Sequence, residues 1–295
     1  MPDSPHGGWP RNIGGRGFVI SGLAFLAAVG VGSFAGSSVL SRLLVRQPER
    51  LRVALWWLLA IIFAVSCAWV NGGWPLPPSE SQDWIGYVLL FAALLRSIPF
   101  LTAQLLSALV SASLGLLATL LPIAQNGWAH LTFAGWFFAG LVSYLMVRLV
   151  LQKEFETAFM RAALLLAVPL AVSAGMMFLA GSAMLAELAL AGGFAVTGAF
   201  MAQRSSGLGR GFVEITLLFH FLLLLNCTVY AHLPPLLALL QWIAPALVIL
   251  VANALRLLTR MTRRRHYIAA IAGLGVAECA IALLFYFMVR PTAPF

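Results

Sequence analysis

Two long apolar runs, 236–258 and 267–289, are separated only by Arg260-Met261-Thr262-Arg263-Arg264-Arg265-His266, the densest positive charge in the chain. Each run exceeds the roughly 20 apolar residues that carry a helix across a bilayer. Lys and Arg beside a span are held on the cytoplasmic side. The basic segment therefore joins two antiparallel membrane helices on the inner face, and the orientation of every other span follows by alternation.

Composition agrees with lipid as the solvent. Of the 295 residues 62% are hydrophobic and 9% charged, against about 25% charged in a soluble domain. The net charge of +9 would point to nucleic acid in a soluble protein. Here it falls in short loops between spans, so it reads as positive-inside sorting, with no nucleic-acid partner expected. The same charge draws anionic headgroups, at about 1 kcal/mol per basic residue near the surface. Membrane lipids are thus the expected partners, alongside a second copy or other chains of a membrane complex. Basic residues are almost all Arg, with Lys153 the single Lys. That bias, with abundant Ala and Leu, hints at a GC-rich bacterial genome and hence at the inner (plasma) membrane.

Alternation then threads the whole chain. Residues 1–16 are polar and rich in Gly and Pro and read as a disordered tail. The first run, 17–41, is taken as a retained span. A cleavable signal peptide is the alternative, with Ser33-Phe34-Ala35 as a loose cleavage site, but the run continues to Leu40 and meets Arg42, Arg46, Arg50 and Arg52. Span two is 53–72, with Trp56, Trp57, Trp69 and Trp74 expected at headgroup level. The Pro-rich loop 73–83 carries Glu80 and Asp83 and no basic residue, and belongs outside. The stretch 84–124 is too long for one helix. Arg96 and Pro99 mark an inner hairpin, giving spans 84–95 and 100–124, of which the shorter crosses or re-enters.

Spans five to ten follow at 131–151, 162–180, 183–202, 211–231, 236–258 and 267–289, with a short tail at 290–295. Gly181-Ser182 is expected as a sharp outer turn and His232-Leu233-Pro234-Pro235 as another. Lys153, Glu154, Glu156 and Arg161 read as a solvated extension of helix five. With this threading 15 of the 18 basic residues face inward, leaving Arg11, Arg16 and Arg290 outside. The expected fold is an all-α, polytopic bundle of about ten spans in one domain, both termini outside. Two halves of five spans would be inverted relative to each other, as in repeat-built transporters; the Pro-containing turns at Pro99 and at Pro234-Pro235 fit that, and the other loops do not.

Ionisable groups inside spans are costly and so are the first functional candidates. Glu278 lies near the middle of the last span. His220 is central in span eight, with Glu214 nearly two turns before it and Asn226 nearly two turns after. Glu187 lies one turn inside span seven. One reading is a proton- or cation-linked path with Glu278 as the buried carboxylate and His220 as relay. The other is that Glu278 is a protonated helix-to-helix tie and His220 a packing residue. Glu214 and Glu187 lie near the interfaces, where snorkelling or a local Arg partner is expected, Arg210 being one turn from Glu214. Gln104, Gln241 and Asn253 read as interhelical hydrogen-bonding groups, and Gly32-x-x-x-Gly36, Ser107-x-x-x-Ser111-x-x-x-Gly115 and Gly135-x-x-x-Ala139 as close-packing faces. Pro122, Pro169 and Pro245 are expected kinks.

No spacing carries a catalytic signature, and no cofactor or metal is expected. Cys67, Cys227 and Cys279 are far apart in apolar runs and read as fillers. Gly207-Leu208-Gly209 is too short for a dinucleotide fingerprint. Ser205-Ser206-Gly207 with His220 does not make an intramembrane protease, because the serines sit in a loop and the histidine at mid-bilayer. Three readings remain, in order: a small secondary transporter or exporter, a non-catalytic scaffold or subunit of a membrane complex, and a lipid-acting enzyme with Arg204, Arg210 and His266 at headgroups.

Overall fold

The computed structural model describes residues 15–44, 47–74, 76–78, 80–98, 104–125, 130–157, 159–202, 209–259 and 262–289. Among these there is no strand. Ten helices follow one another: α1 (Gly15–Leu43), α2 (Pro48–Val70), α3 (Asp83–Ser97), α4 (Gln104–Gln125), α5 (His130–Thr157), α6 (Phe159–Leu179), α7 (Ala183–Ala202), α8 (Gly209–Tyr230), α9 (Pro235–Thr259) and α10 (Arg263–Val289). Each coincides with one expected run. Eight are long and apolar enough to cross a membrane, the others being α3 and the apolar stretch Leu164–Leu179 of α6. The chain is a multi-pass, all-helical membrane bundle. The expected N-terminal tail to residue 14, the hairpin at Pro99, the loop bearing Arg204, Ser205 and Ser206, and the tail 290–295 lie outside the described residues. Gly15 and Arg16, expected in the tail, already belong to α1.

The turns form where the backbone chemistry allows them. Pro48 opens α2, where a missing N–H costs nothing. The turn after α6 is made at Gly181, whose φ of 91° suits a residue without a Cβ. The Gly181 and Ser182 N–H groups return to the carbonyls of Phe178 and Met177, and Ser182 Oγ accepts the Leu185 N–H at the start of α7. The sharp turn expected at Gly181-Ser182 is present. His232 holds φ at 56° between α8 and α9, with the Leu233 N–H bonded back to Cys227 O. The α2–α3 loop is tied by Asp83, whose carboxylate accepts from the Glu80 N–H at 2.9 Å and from Asn71 Nδ2 at 2.8 Å.

α8 is the axis of the bundle. Of its hydrophobic window 89% is buried, against 17% for α1 and 28% for α10. It touches α2, α3, α4, α5, α6, α7 and α9, while among the described residues α10 rests on α6 and α9 alone. Lipid gives helices no hydrophobic reason to associate, so fit and polar ties must hold them. The fit is close. Phe219 stacks on Phe63 of α2 at 4.2 Å, and Trp242 of α9 packs against Phe221 and Tyr144. A Cβ on Gly115 of α4 would stand 2.6 Å from Leu222, so Ser107, Ser111 and Gly115 do form a buried packing face.

The other two small-residue patterns do not act as read. Gly32 faces open space while Gly36 meets Leu58 of α2, and Gly135 also meets nothing. The close crossing is instead α1 on α7, where Gly198 sits against the Gly30 carbonyl and Ser33 Oγ donates to Ala195 O at 2.7 Å. Nor does the bundle show a five-plus-five inverted repeat. The extensive α1–α7 contact would require an equivalent α6–α2 contact, and among the described residues those helices do not touch. Trp69 and Trp74 are exposed; Trp56 and Trp57 are half-buried at the other end of α2, where Trp57 Nε1 donates to Ser97 Oγ at 2.8 Å and the Trp56 ring fills the space over Gly211.

Candidate functional site

The polar groups of α8 tie it to its neighbours at three levels. At its start Glu214 is buried, 7% exposed, and accepts from Arg148 Nε of α5 at 2.8 Å. Its other oxygen pairs with Arg96 at the end of α3. Arg96 also lies over the Trp56 ring, 5.1 Å from its centroid. Glu214, expected to snorkel or to take a local Arg partner, is buried, and its Arg partners among the described residues come from α3 and α5. The Arg210 side chain lies outside the described residues. Arg148, expected near the end of span five, lies near the close of the apolar stretch Leu131–Gln152 and is 2% exposed, packed against Glu214 of α8.

At the far end Asn226 accepts from Ser81 Oγ at 2.7 Å and donates to Thr119 Oγ1 at 3.3 Å and to Leu222 O. Asn226 is thus a tie between α8, α4 and the α2–α3 loop. α3 is pinned at both ends, since Ser81 just before it meets Asn226 and Arg96 at its close meets Glu214. Glu214 and Asn226 stand about 18 Å apart along the helix axis. The short helix α3 therefore runs beside about 18 Å of α8, from Glu214 to Asn226, which is rather more than half of its length.

Between them lies a mid-bundle group. His220, 4% exposed, shares a 2.8 Å hydrogen bond with Ser173 Oγ of α6, and its ring meets Trp242 edge-on at 5.9 Å. One residue before Trp242, Gln241 Nε2 donates to Glu278 Oε2 of α10 at 2.8 Å and to Pro169 O of α6 at 3.1 Å. Pro169 and Ser173 are one turn apart on α6. The Pro169 carbonyl has a second lone pair with which to accept from Gln241, and the Ser173 hydroxyl is a side-chain group outside the helix ladder. Glu278 and His220 are therefore not in direct contact but are joined through α6 and α9. Two oxygens in this group, Glu278 Oε1 and Gln241 Oε1, are buried with no hydrogen-bond partner among the described residues.

Glu187 stays apart. It is half-buried on α7, near Gly22 of α1, with no ion pair among the described residues. Of the five candidates, the structure links His220 and Glu278 indirectly, sets Glu214 and Asn226 at opposite ends, and leaves Glu187 on the α1 side. Ser173, Arg96, Arg148, Ser81 and Thr119 were not singled out from sequence as site residues; only Gln241 was read as an interhelical bond, which it is. No spacing reveals Ser173, since its partner is 47 residues away.

Cys67 and Cys227 are buried as read, and Cys279 is exposed on the outer side of α10. Among the described residues no group of three His, Cys, Asp or Glu side chains could hold a metal ion. No family model, curated protein or solved structure matches this chain.

Proposed function

We propose that the chain is a ten-span secondary transporter or exporter of a bacterial inner membrane, with both termini outside. The positive-inside distribution supports this orientation, which turns the Arg96–Glu214–Arg148 end toward the cytoplasm. The observation that carries the transport reading is the Glu278–Gln241 contact at mid-bundle: an acid group 2% exposed, hydrogen-bonded across helices, with an oxygen on each partner left over. Such groups are costly in lipid and are kept where an ion or a proton passes. His220 and Ser173 lie in the same layer as a second polar contact. The two ends of α8, closed by an ion cluster on one side and by the Asn226 ties on the other, are suited to opening alternately.

The test is proton movement in liposomes containing a pH-sensitive dye, screened against a panel of small solutes. Wild type should move protons with at least one solute, and Glu278→Gln, reconstituted at equal amount, should not. No response to any solute, or an equal response from the variant, contradicts the reading. A second reading, a non-catalytic scaffold or subunit, is favoured by a different observation: Phe219, Leu222 and Leu223 of α8 fill the centre of the bundle. Exposed Arg42, Arg50 and Arg52 near the ends of α1 and α2 are assigned to anionic headgroups under either reading.

A further inference from the structure

We infer that Glu278 and Gln241 form a neutral acid–amide pair, so that the ion held at this site is a proton and not a metal cation. The inference rests on the site proposed above and names its ligand. The amide orientation is fixed first. Gln241 faces two acceptors, Pro169 O at 3.1 Å and Glu278 Oε2 at 2.8 Å. Turning the amide over would set its oxygen against the Pro169 carbonyl, which cannot donate. The N–H₂ group therefore faces both, and Gln241 Oε1 is left as a buried acceptor with no donor among the described residues.

Glu278 Oε1 is in the same state. As a carboxylate Glu278 is acceptor-only, so the pair would hold two buried acceptors and one uncompensated charge. Among the described side chains, the helices packed on α10 supply no cation to meet it. α10 rests on α9 and α6; α6 has no ionisable side chain between Leu164 and Leu179, and the cation of α9, Arg256, is near its end. On α10 itself Arg265 is 13 residues away, about 20 Å along the axis, Cys279 is exposed, and Tyr286 is two turns on. His220, from α8, bonds to Ser173. One proton on Glu278 Oε1 removes the charge and supplies the missing donor, which is directed to Gln241 Oε1.

A metal cation fits poorly. It would need several oxygens turned inward, as hard cations take six or more, whereas an amide N–H₂ already occupies one face of the carboxyl group.

The full-length protein in lipid, studied by infrared difference spectroscopy on acid–base titration, tests this without any transport assay. At neutral pH wild type should show the C=O stretch of one protonated carboxylic acid, absent in Glu278→Gln. Gln241→Leu should keep the band and move it to higher frequency, because the acid loses its amide partner; this variant leaves the carboxyl group in place should Glu278→Gln fold poorly. A neutral-pH spectrum with no acid band overturns the inference, as does a band unchanged by both substitutions. Loss of the band on adding sodium or potassium salt at constant pH also overturns it, in favour of a metal cation. A band with these properties in a protein that moves no solute would uphold the proton site and refute the transport reading alone.

Discussion

Removing the charge of Glu214 should be the most damaging conservative substitution in the bundle. In Glu214→Gln the guanidinium groups of Arg96 and Arg148 lose the carboxylate that both contact. Two cations touching one carboxylate lie on the order of 6 Å apart, which at an effective dielectric of ~20 is a repulsion of about 3 kcal/mol. Arg148 is 2% exposed and the Arg96 side chain 8%, so water does little to screen it. Breaking a buried pair from one side costs about 3–5 kcal/mol by the same logic, two or more decades in a folding equilibrium at ~1.4 kcal/mol each. The assay is unfolding of the detergent-solubilised protein followed by tryptophan fluorescence, alongside Glu187→Gln as a control. A triple variant, Glu214→Gln with Arg96→Met and Arg148→Met, removes the repelling charges and should recover most of the loss. A single variant within about 0.5 kcal/mol of wild type, or a triple variant no better than the single, would refute the reasoning.

Other outcomes follow from particular contacts. Gly211→Ala places a methyl group where the Trp56 ring lies, and should lower stability by at least the 1–3 kcal/mol of an overpacked core; thermal unfolding checks it, and unchanged stability would mean the ring is elsewhere. Ser173→Ala removes one interhelical hydrogen bond to His220, worth about 0.6 kcal/mol on average and up to ~1.7 in membrane bundles; a loss above 3 kcal/mol would show a larger role than one tie. For the orientation, a cysteine at Ser79 should react with an impermeant label from outside in intact cells and one at Ser205 should not; the reverse pattern would overturn the threading.

The helices were legible because each rests on local signals. Runs of apolar residues, the basic segment at 263–265 and breakers such as Gly181 locate all ten without knowledge of partners. The contacts were not legible, for a physical reason. Every side of a membrane helix is apolar, so periodicity does not say which face meets protein. Gly32 and Gly36 have the right spacing yet face different surroundings, while Gly30 and Gly198 make the close crossing. Arg148 was read near the end of its span, and it lies near the close of the apolar stretch Leu131–Gln152; its burial was not legible, because nothing local says that α8 brings Glu214 to it. Glu278 and His220 stood out because intramembrane polarity is rare. Gln241 stood out as an interhelical bond without its partner, and Ser173 did not stand out at all, since their meaning comes from the packing of α6, α9 and α10.

The central claim is that this chain acts as a carrier in its own right, not as a part of a larger assembly. Native mass spectrometry after gentle extraction from its own membrane tests it most directly. The account predicts one kind of polypeptide, as a monomer or homo-oligomer with bound lipid and no other chain. A stoichiometric second chain, retained through purification, would contradict it and favour the scaffold reading.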